Sequence, residues 1–266
     1  MTTINQPIGI FDSGVGGLTI LKSLLQQAPE EAYIYLADSG YAPYGDRDKE
    51  YIIHRAGLVT DFLLNRGAKL IVIACNTATG AAITTLRNRY DVPFVGVEPA
   101  VKPAALRSKT GHIGVLATRQ TFQGEHFQRT AGLHAREIEV HVQEGQGLVE
   151  WIESGMEDED WIRQQLSGYL VPLLEQNIDQ LVLGCTHYPW LISYMKQLLP
   201  ESIEIHDPAP AVARQVLRVL QSYHLYRLPG VSVAPQFYTT GQAGFLNRFV
   251  KEHLNLNAQS GTISLS

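Results

Sequence analysis

Short apolar stretches of strand length recur along the chain, and each is followed by a polar turn and a helical pattern. In the first hundred residues these stretches are Ile8 to Phe11, Tyr33 to Leu36, Leu70 to Ala74 and Phe94 to Val97. Apolar residues at helical spacing predict helices over Leu18 to Gln27, over Lys49 to Asn65, and from the turn after Ala74 through Arg89. This alternation is typical of a parallel sheet covered by helices.

The same alternation restarts after a segment with two prolines, Pro99 to Pro103. The strand-like stretches of this second half are Ile113 to Leu116, Glu137 to Val142, Leu181 to Leu183 and Ile203 to Ile205. Helical spacing predicts helices over Trp161 to Gln176 and Ala211 to Tyr223, and the strand Gln236 to Thr239 is predicted to complete the chain.

Two segments, Ile71 to Thr77 and Leu181 to His187, align by eye, because each runs from an apolar strand into a cysteine and further polar residues. The chain is therefore predicted to be α/β, with two similar domains, each a mainly parallel sheet flanked by helices. The domains are expected to face each other across a central cleft with pseudo-two-fold symmetry. The predicted first domain is 1–100 plus about 210–266, and the second is 101–209.

Composition narrows the class of protein. With 45% hydrophobic and 18% charged residues among 266, the chain resembles an ordinary globular protein. Its net charge of -5, without a block of like charges, argues against a nucleic-acid partner. The apolar runs are too short to span a membrane, and Met1 to Pro7 lacks the pattern of a secretion signal. The two cysteines are therefore predicted to be reduced thiols in the cytoplasm rather than a disulfide.

Polar side chains follow the predicted strands at the ends where α/β sheets bind ligands. These candidate residues are Asp12, Ser13, Cys75, Asn76, Thr77, Thr118, Cys185, Thr186 and His187. Since ligands lie beyond the carboxyl ends of parallel strands, two facing domains would bring these residues to one cleft. Asp12 and Cys75 belong to the first domain, and Thr118 and Cys185 belong to the second.

Each cysteine is predicted to lie between the end of a strand and the start of a helix. Unpaired backbone N–H groups and the helix dipole stabilise a thiolate at such a position. The alternative is a small buried apolar side chain. Two cysteines in matching contexts, Cys75 and Cys185, favour the chemical interpretation.

The glycine-rich turn from Asp12 to Gly17 resembles a nucleotide-binding loop but fails both common patterns. A dinucleotide motif would need glycine in place of Thr19, and a P-loop would need lysine in place of Val15. The turn can still bind an anion such as a carboxylate through its backbone N–H groups. The alternative is a tight turn in which Asp12 caps a helix.

His187 lies two residues after Cys185, and the alternative to a catalytic role is a structural or solvent-exposed histidine. Cys75, Cys185 and His187 also suggest zinc, but a structural site usually has four ligands with paired spacing, so no metal is predicted there. Since no strand-end turn carries a lysine for a pyridoxal Schiff base, no cofactor is predicted.

Four ordered segments resemble the signature motifs of bacterial glutamate racemases. They are Gly9 to Gly17, Tyr41 to Gly45, Ala74 to Ala78 and Leu183 to Pro189, and Phe237 to Gly241 also fits. The resemblance runs from about residue 7 to 240. It implies interconversion of L- and D-glutamate without metal or pyridoxal phosphate, supplying D-glutamate for peptidoglycan.

The resemblance also implies roles for individual residues. Cys75 and Cys185 would be the proton donor and acceptor pair, with Asp12 assisting on the D-glutamate side and His187 on the L-glutamate side. The residues expected to bind substrate are Asp12, Ser13, Tyr44, Gly45, Asn76, Thr77, Thr118, Thr186 and His187. The stretch Glu139 to Met156 matches the family pattern poorly, so an acidic helper stays open there, with Glu150 as a guess.

Several alternatives remain open at this point. Aspartate racemase or a related isomerase such as maleate isomerase would reuse paired cysteines on a different acid. A non-catalytic amino-acid-binding or regulatory protein could carry buried structural cysteines, whereas the cysteine spacing disfavours a thiol redox protein. A homodimer is also left open.

Overall fold

The structure, a computed structural model, describes residues 4–124, 127–128, 132, 138–227, 230 and 233–265. The chain divides into two units: Met1–Val97 with Ala209–Ser266 forms unit 1, and Glu98–Pro208 forms unit 2. Each unit contains one parallel sheet with helices around it, so the predicted α/β class with two parallel sheets is confirmed.

The sheet of unit 1 is assembled around its first strand. Its strands are β1 (Ile8–Asp12), β2 (Tyr33–Ala37), β3 (Leu70–Ile73), β4 (Phe94–Gly96), β9 (Gln236–Thr239) and β10 (Gly261–Thr262). The order is β10-β9-β2-β1-β3-β4, and every pairing is parallel. All residues of β1, β2 and β3 are buried, as expected for strands covered on both faces.

Unit 2 repeats the central part of this topology. Its strands are β5 (His112–Ala117), β6 (Glu139–Glu144), β7 (Gln180–Gly184) and β8 (Glu204–His206). The parallel order β6-β5-β7-β8 matches β2-β1-β3-β4 in unit 1. In both units the first strand lies between the second and the third. The chain therefore changes direction of winding between first and third strands, which is where open α/β sheets bind ligands.

Helices connect these strands and cover the sheets. Unit 1 contains α1 (Leu18–Gln27), α2 (Lys49–Asn65), α3 (Asn76–Arg89), α9 (Ala209–Ser222) and α10 (Ala243–Leu254). Unit 2 contains α4 (Val101–Arg107), α5 (Arg119–Gln123), α6 (Leu148–Glu153), α7 (Glu159–Glu175) and α8 (Ile192–Leu198). Among the described helices, none combines the length and apolar character that a membrane crossing requires.

Helix starts follow from local hydrogen bonding. The carboxylate of Asp48 accepts the N–H of Tyr51 at 2.7 Å where α2 begins, and that of Asp158 accepts the N–H of Trp161 at 2.9 Å where α7 begins. Such caps satisfy backbone donors that have no partner within the helix.

The sequence-based prediction for the end of the chain was wrong, and several boundaries differ by one or two residues. The strand Gln236–Thr239 does not complete the chain, because α10 and β10 follow it. Leu246, Phe249 and Val250 carry the buried face of α10 at helical spacing, so the pattern was available in the sequence. The strand predicted over Glu137 to Val142 is β6, two residues later, and Glu137 lies outside the described residues.

A buried ion pair ties together the amino ends of the strands of unit 1. Nζ of Lys69 lies 2.6 Å from a carboxylate oxygen of Glu31 and donates to the carbonyls of Ile4 (2.7 Å) and Leu225 (2.8 Å). Burial lowers the pKa of Lys69, although the hydrogen bond that Lys69 donates to Glu31 opposes that shift. Since removal of one partner from a buried pair costs about 3–5 kcal/mol, these contacts fix the segments at this end of the sheet.

We predict opposite stability effects for Gly184→Ala and Gly168→Ala in unit 2. A Cβ at Gly184 would lie 2.7 Å from Cβ of Ala117, whereas a Cβ at Gly168, within α7, meets no atom within 4 Å. Overpacking should lower the free energy of unfolding by about 1–3 kcal/mol in Gly184→Ala. Gly168→Ala should raise it by about 0.5–1 kcal/mol. Urea unfolding followed by circular dichroism measures both, and equal effects would contradict the packing at Gly184.

Candidate functional site

The carboxyl ends of β1 and β3 lie side by side in unit 1. The N–H of Ala74 donates to the carbonyl of Phe11 at 2.7 Å, so the residues that follow the two strands are neighbours. Oγ of Ser13, just after β1, lies 3.8 Å from Sγ of Cys75, just after β3. The structure therefore brings together two residues that sequence reasoning placed at separate strand ends.

Cys75 is the N-cap of α3. Its backbone is extended, with φ −141° and ψ 122°, and its Sγ accepts the N–H of Ala78 at 3.4 Å. The side chain is buried. A sulfur atom at this position receives a backbone donor and the positive end of the helix dipole, both of which stabilise a thiolate.

Asp12 is fully buried at the end of β1. One carboxylate oxygen accepts the N–H of Gly17 at 2.7 Å, and the other accepts the Oγ–H of Ser13 at 3.5 Å. A Cβ at Gly17 would lie 2.8 Å from Cβ of both Asp12 and Ala74, so only glycine allows α1 to begin this close. One oxygen of Asp12 thus stabilises the turn, and the other contacts Ser13, whose hydroxyl lies near Cys75.

Asn76 is a buried amide with unsatisfied hydrogen-bonding capacity. Its side chain is 5% exposed, and among the described residues neither its Nδ2 nor its Oδ1 has a hydrogen-bond partner. An unpaired buried polar group costs about 1–3 kcal/mol. Thr77, the next residue, is also buried. An amide that can both donate and accept beside Cys75 fits a group that binds a polar ligand.

Tyr44 and Gly45 lie in a 3₁₀ turn, Tyr44–Asp46, after β2. The buried hydroxyl of Tyr44 donates to Asp38 at 2.5 Å, and Arg55 pairs with the same carboxylate at 2.7 Å. Burial, reinforced by the negative charge of Asp38, raises the pKa of Tyr44 well above its usual value. The Tyr44 side chain therefore holds the turn in place, and Gly45 beside it is partly exposed.

The corresponding strand ends of unit 2 carry Thr118 and Cys185. Ala117 and Gly184 are paired in register, so the residues that follow them begin at the same edge of the sheet. Oγ1 of Thr118 lies 3.0 Å from Oγ1 of Thr121. Cys185 and Thr186 are buried.

A buried histidine connects Cys185 to an acidic side chain. Nδ1 of His187 lies 3.8 Å from Sγ of Cys185, and Nε2 lies 2.6 Å from a carboxylate oxygen of Glu153. His187 is 2% exposed. When Glu153 accepts the Nε2 proton, Nδ1 presents a lone pair to the sulfur of Cys185. This arrangement can move a proton between the thiol and the imidazole while the carboxylate orients the ring.

Glu153 is the residue that sequence reasoning missed. The guess for an acidic helper was Glu150, which is exposed one turn earlier on α6. Tyr188 donates its hydroxyl proton to the carbonyl of Gly145 at 3.1 Å, which holds the loop before α6 against the residues after β7. The sequence offered one signal, the departure of the stretch Glu139 to Met156 from the family pattern. The contact of Glu153 with His187 is tertiary, so local sequence patterns do not reveal it.

Comparisons with known proteins identify the family of the chain. The family model described as Asp/Glu/Hydantoin racemase matches residues 8–216. A glutamate racemase of Ectopseudomonas mendocina (strain ymp) is 46% identical over 226 residues, which are 85% of this chain and 86% of that relative.

Two solved structures are similar over nearly the whole chain. Glutamate racemase from Francisella tularensis subsp. tularensis SCHU S4, in complex with D-glutamate, is 28% identical, with 99% of both chains covered and a TM-score of 0.86. Escherichia coli glutamate racemase, in complex with L-glutamate and the activator UDP-MurNAc-ala, is 30% identical, with 98% of this chain and 100% of that chain covered and a TM-score of 0.86. The resemblance drawn from the motifs is confirmed, and the chain belongs to the Asp/Glu/hydantoin racemase family.

Proposed function

We propose that the chain interconverts L- and D-glutamate without a cofactor, with Cys75 and Cys185 as its two acid/base groups. The observation that carries the proposal is the matched position of the two thiols. Each follows the third strand of its unit, beside a group that can help to move a proton or stabilise charge. The choice of substrate is supported by the similar solved structures, which are complexes with D-glutamate and with L-glutamate.

Racemisation requires a proton to leave one face of the α-carbon and another to arrive at the opposite face. In the proposed reaction one cysteine thiolate takes the α-proton, and the electron pair of the C–H bond stays on the substrate, delocalised into its carboxylate. The other cysteine thiol then donates its proton to the opposite face. One thiolate and one thiol are present before and after the reaction, with their identities exchanged, so no oxidant or metal is needed for the balance.

The substrate is proposed to contact polar residues that follow the ends of the strands. The amide of Asn76 can accept from the α-ammonium group and donate to a carboxylate. The remaining proposed contacts come from Ser13, Tyr44, Gly45, Thr77, Thr118 and Thr186. Backbone N–H groups at the starts of α1 and α3 suit the carboxylates, since helix N-termini attract anions. Donors aimed at the carboxylate would also stabilise the charge that develops there.

A different neighbouring residue is proposed to assist proton transfer at each thiol. Asp12, through its contact with Ser13, serves the Cys75 side, which exchanges the proton with D-glutamate. His187 serves the Cys185 side, which exchanges the proton with L-glutamate, and Glu153 positions the imidazole ring. We further propose that the enzyme works in the cytoplasm and supplies D-glutamate for peptidoglycan.

The direct test is the fate of L-glutamate in deuterated water with purified protein. Optical rotation should decay to zero while deuterium enters the α-position, because each inversion replaces the α-proton with one from solvent. L-Aspartate serves as the comparison substrate and should react far more slowly. Constant rotation of L-glutamate over hours at high enzyme concentration would overturn the proposal, and faster turnover of L-aspartate would overturn the choice of substrate.

Cys75→Ala and Cys185→Ala should each abolish racemisation, because either change leaves one face of the α-carbon without an acid/base group. Each variant should keep the thermal melting temperature of the wild type to within a few degrees, since a methyl group replaces a thiol of similar size. Polarimetry and thermal melting measure the two effects. Near wild-type racemisation in a folded variant would rule out the two-thiol mechanism.

His187→Asn and Asp12→Asn should each lower kcat/KM by about 10²–10⁴-fold, the usual range for acid–base assistance. The loss must be equal in both directions, because the enantiomers have equal free energy in water, but the primary isotope effects need not be. His187→Asn should raise the primary isotope effect on kcat/KM measured with α-deuterated L-glutamate. The same variant should lower the isotope effect measured with α-deuterated D-glutamate. Asp12→Asn should do the reverse, and unchanged effects in both variants would leave only structural roles.

The neighbouring pair Glu153 and Glu150 provides a matched control for this prediction. Glu153→Gln should shift the isotope effects in the same direction as His187→Asn but with a smaller loss of rate, because the imidazole remains and only its orientation is weakened. Glu150→Gln removes an exposed carboxylate from the same helix and should leave both rates and isotope effects unchanged. A larger effect in Glu150→Gln than in Glu153→Gln would contradict the proposed positioning role.

A further inference from the structure

Unit 2 carries a second group of ionisable side chains, at the opposite end of its sheet from Cys185. His112 is the first residue of β5, and Glu139 and His141 are the first and third residues of β6. His112 is paired in register with Glu139, and Gly114 with His141. Since side chains two residues apart share a face of a strand, all three point to the same side of the sheet. We call these three residues the His112 cluster.

The donor atoms of this cluster are spaced like ligands of one metal ion. Nδ1 of His112 lies 3.1 Å from Nε2 of His141 and 3.6 Å from Oε2 of Glu139, and the distance from His141 Nε2 to Glu139 Oε2 is 3.9 Å. Metal–ligand bonds of 2.0–2.1 Å in a tetrahedral zinc site place neighbouring ligand atoms about 3.3–3.4 Å apart. The three donors therefore come close to one face of such a tetrahedron.

The backbone that carries these side chains is well anchored. The N–H of Glu139 donates to the carbonyl of Gly111 at 2.7 Å, and the N–H of Asp179 donates to the carbonyl of His112 at 3.3 Å. The carboxylate of Asp179 also accepts the hydroxyl of Ser108 at 2.7 Å, which closes the turn before β5. Register slippage, which would move every side chain to the other face, is thereby opposed.

The alternate residues of the same strands secure that orientation. Ile113 and Val140 point to the opposite face, where they pack with Val101 and Ala104 of α4. The rings of His112 and His141 stack with centroids 5.3 Å apart and an angle of 26°. Their side chains are 32% and 20% exposed and that of Glu139 is 72% exposed, so an ion can reach the donors from solvent.

We propose that the His112 cluster binds one divalent transition-metal ion of the zinc class, with water completing the coordination. Two imidazoles and a carboxylate are ligands that Zn²⁺ accepts readily. The ion would join the amino end of β5 to that of β6, an edge strand. It would be structural, since β5 separates it from the carboxyl end of the sheet by about 16 Å at ~3.3 Å per residue. This inference does not depend on the proposed racemase reaction.

The test begins with metal-stripped full-length protein titrated with Zn²⁺ in a calorimeter and with Co²⁺ in a spectrophotometer. One ion should bind per chain, and the Co²⁺ spectrum should lack a thiolate charge-transfer band. Zn²⁺ should raise the melting temperature, because an ion that binds only the folded chain stabilises it. Cys185→Ala should bind with unchanged affinity, which separates the cluster from the other donors of unit 2.

Variants of the cluster provide the decisive comparison. His112→Asn, His141→Asn and Glu139→Gln should each weaken binding by at least about 10–100-fold, the loss usual even for groups that only support a metal ligand. His54→Asn, which changes an exposed histidine of α2, is the matched control and should bind as the wild type does. Without metal, His141→Asn should racemise glutamate and melt like the metal-stripped wild type, but Zn²⁺ should no longer raise its melting temperature.

Three results would overturn the proposal. Absence of Zn²⁺ binding to the wild type would leave the cluster as a hydrogen-bonded group that shares protons. Binding that survives both histidine substitutions, or that disappears in Cys185→Ala, would place the ion elsewhere in the chain.

Discussion

The functional geometry of each unit depends on the pairing of its first and third strands. In unit 1 the hydrogen bond from the N–H of Ala74 to the carbonyl of Phe11 continues the ladder by one residue beyond β3, so that Asp12 and Cys75 leave the sheet together. In unit 2 the pairing of Ala117 with Gly184 does the same for Thr118 and Cys185. A slip of one residue would turn each of these side chains toward the opposite face. The dense burial of both strands is what prevents that slip.

Polar side chains buried at these strand ends need hydrogen-bond partners, and most, but not all, of these side chains have them. Asp12 is satisfied by Gly17 and Ser13, and His187 is held by Glu153. Asp38, fully buried, accepts hydrogen bonds from Arg55, Tyr44 and the hydroxyl of Thr240. Asn76 is the contrast, because its amide is buried without such a partner among the described residues. A buried amide that lacks a partner, near other buried polar groups that have theirs, is expected where a bound ligand completes the hydrogen bonding.

Most of the fold could be predicted from the sequence because its signals are local. Apolar spacing defined α1 and α2 at their observed ends, and turn residues marked the strand ends that carry Asp12 and Cys75. Glu153 could not be found in this way. Its contact with His187 joins residues 34 positions apart and depends on how α6 packs against the turn after β7. The helix α10 is a different case, since its periodic apolar face was present and overlooked.

Strand β6 runs from the His112 cluster at one end of the sheet of unit 2 to the loop before α6 at the other end. Among the described strands, β6 is hydrogen-bonded to β5 alone. None of its six residues is buried, so less buried area holds it than holds β5 or β7. Its carboxyl end leads directly into the loop at Gly145 and then into α6. This helix brings the carboxylate of Glu153 within hydrogen-bonding distance of His187. Contacts that hold the amino end of β6 to β5 therefore oppose fraying of the strand that leads into α6, the helix that carries Glu153. The contact between Glu153 and His187 therefore depends on an edge strand that is held at both of its ends.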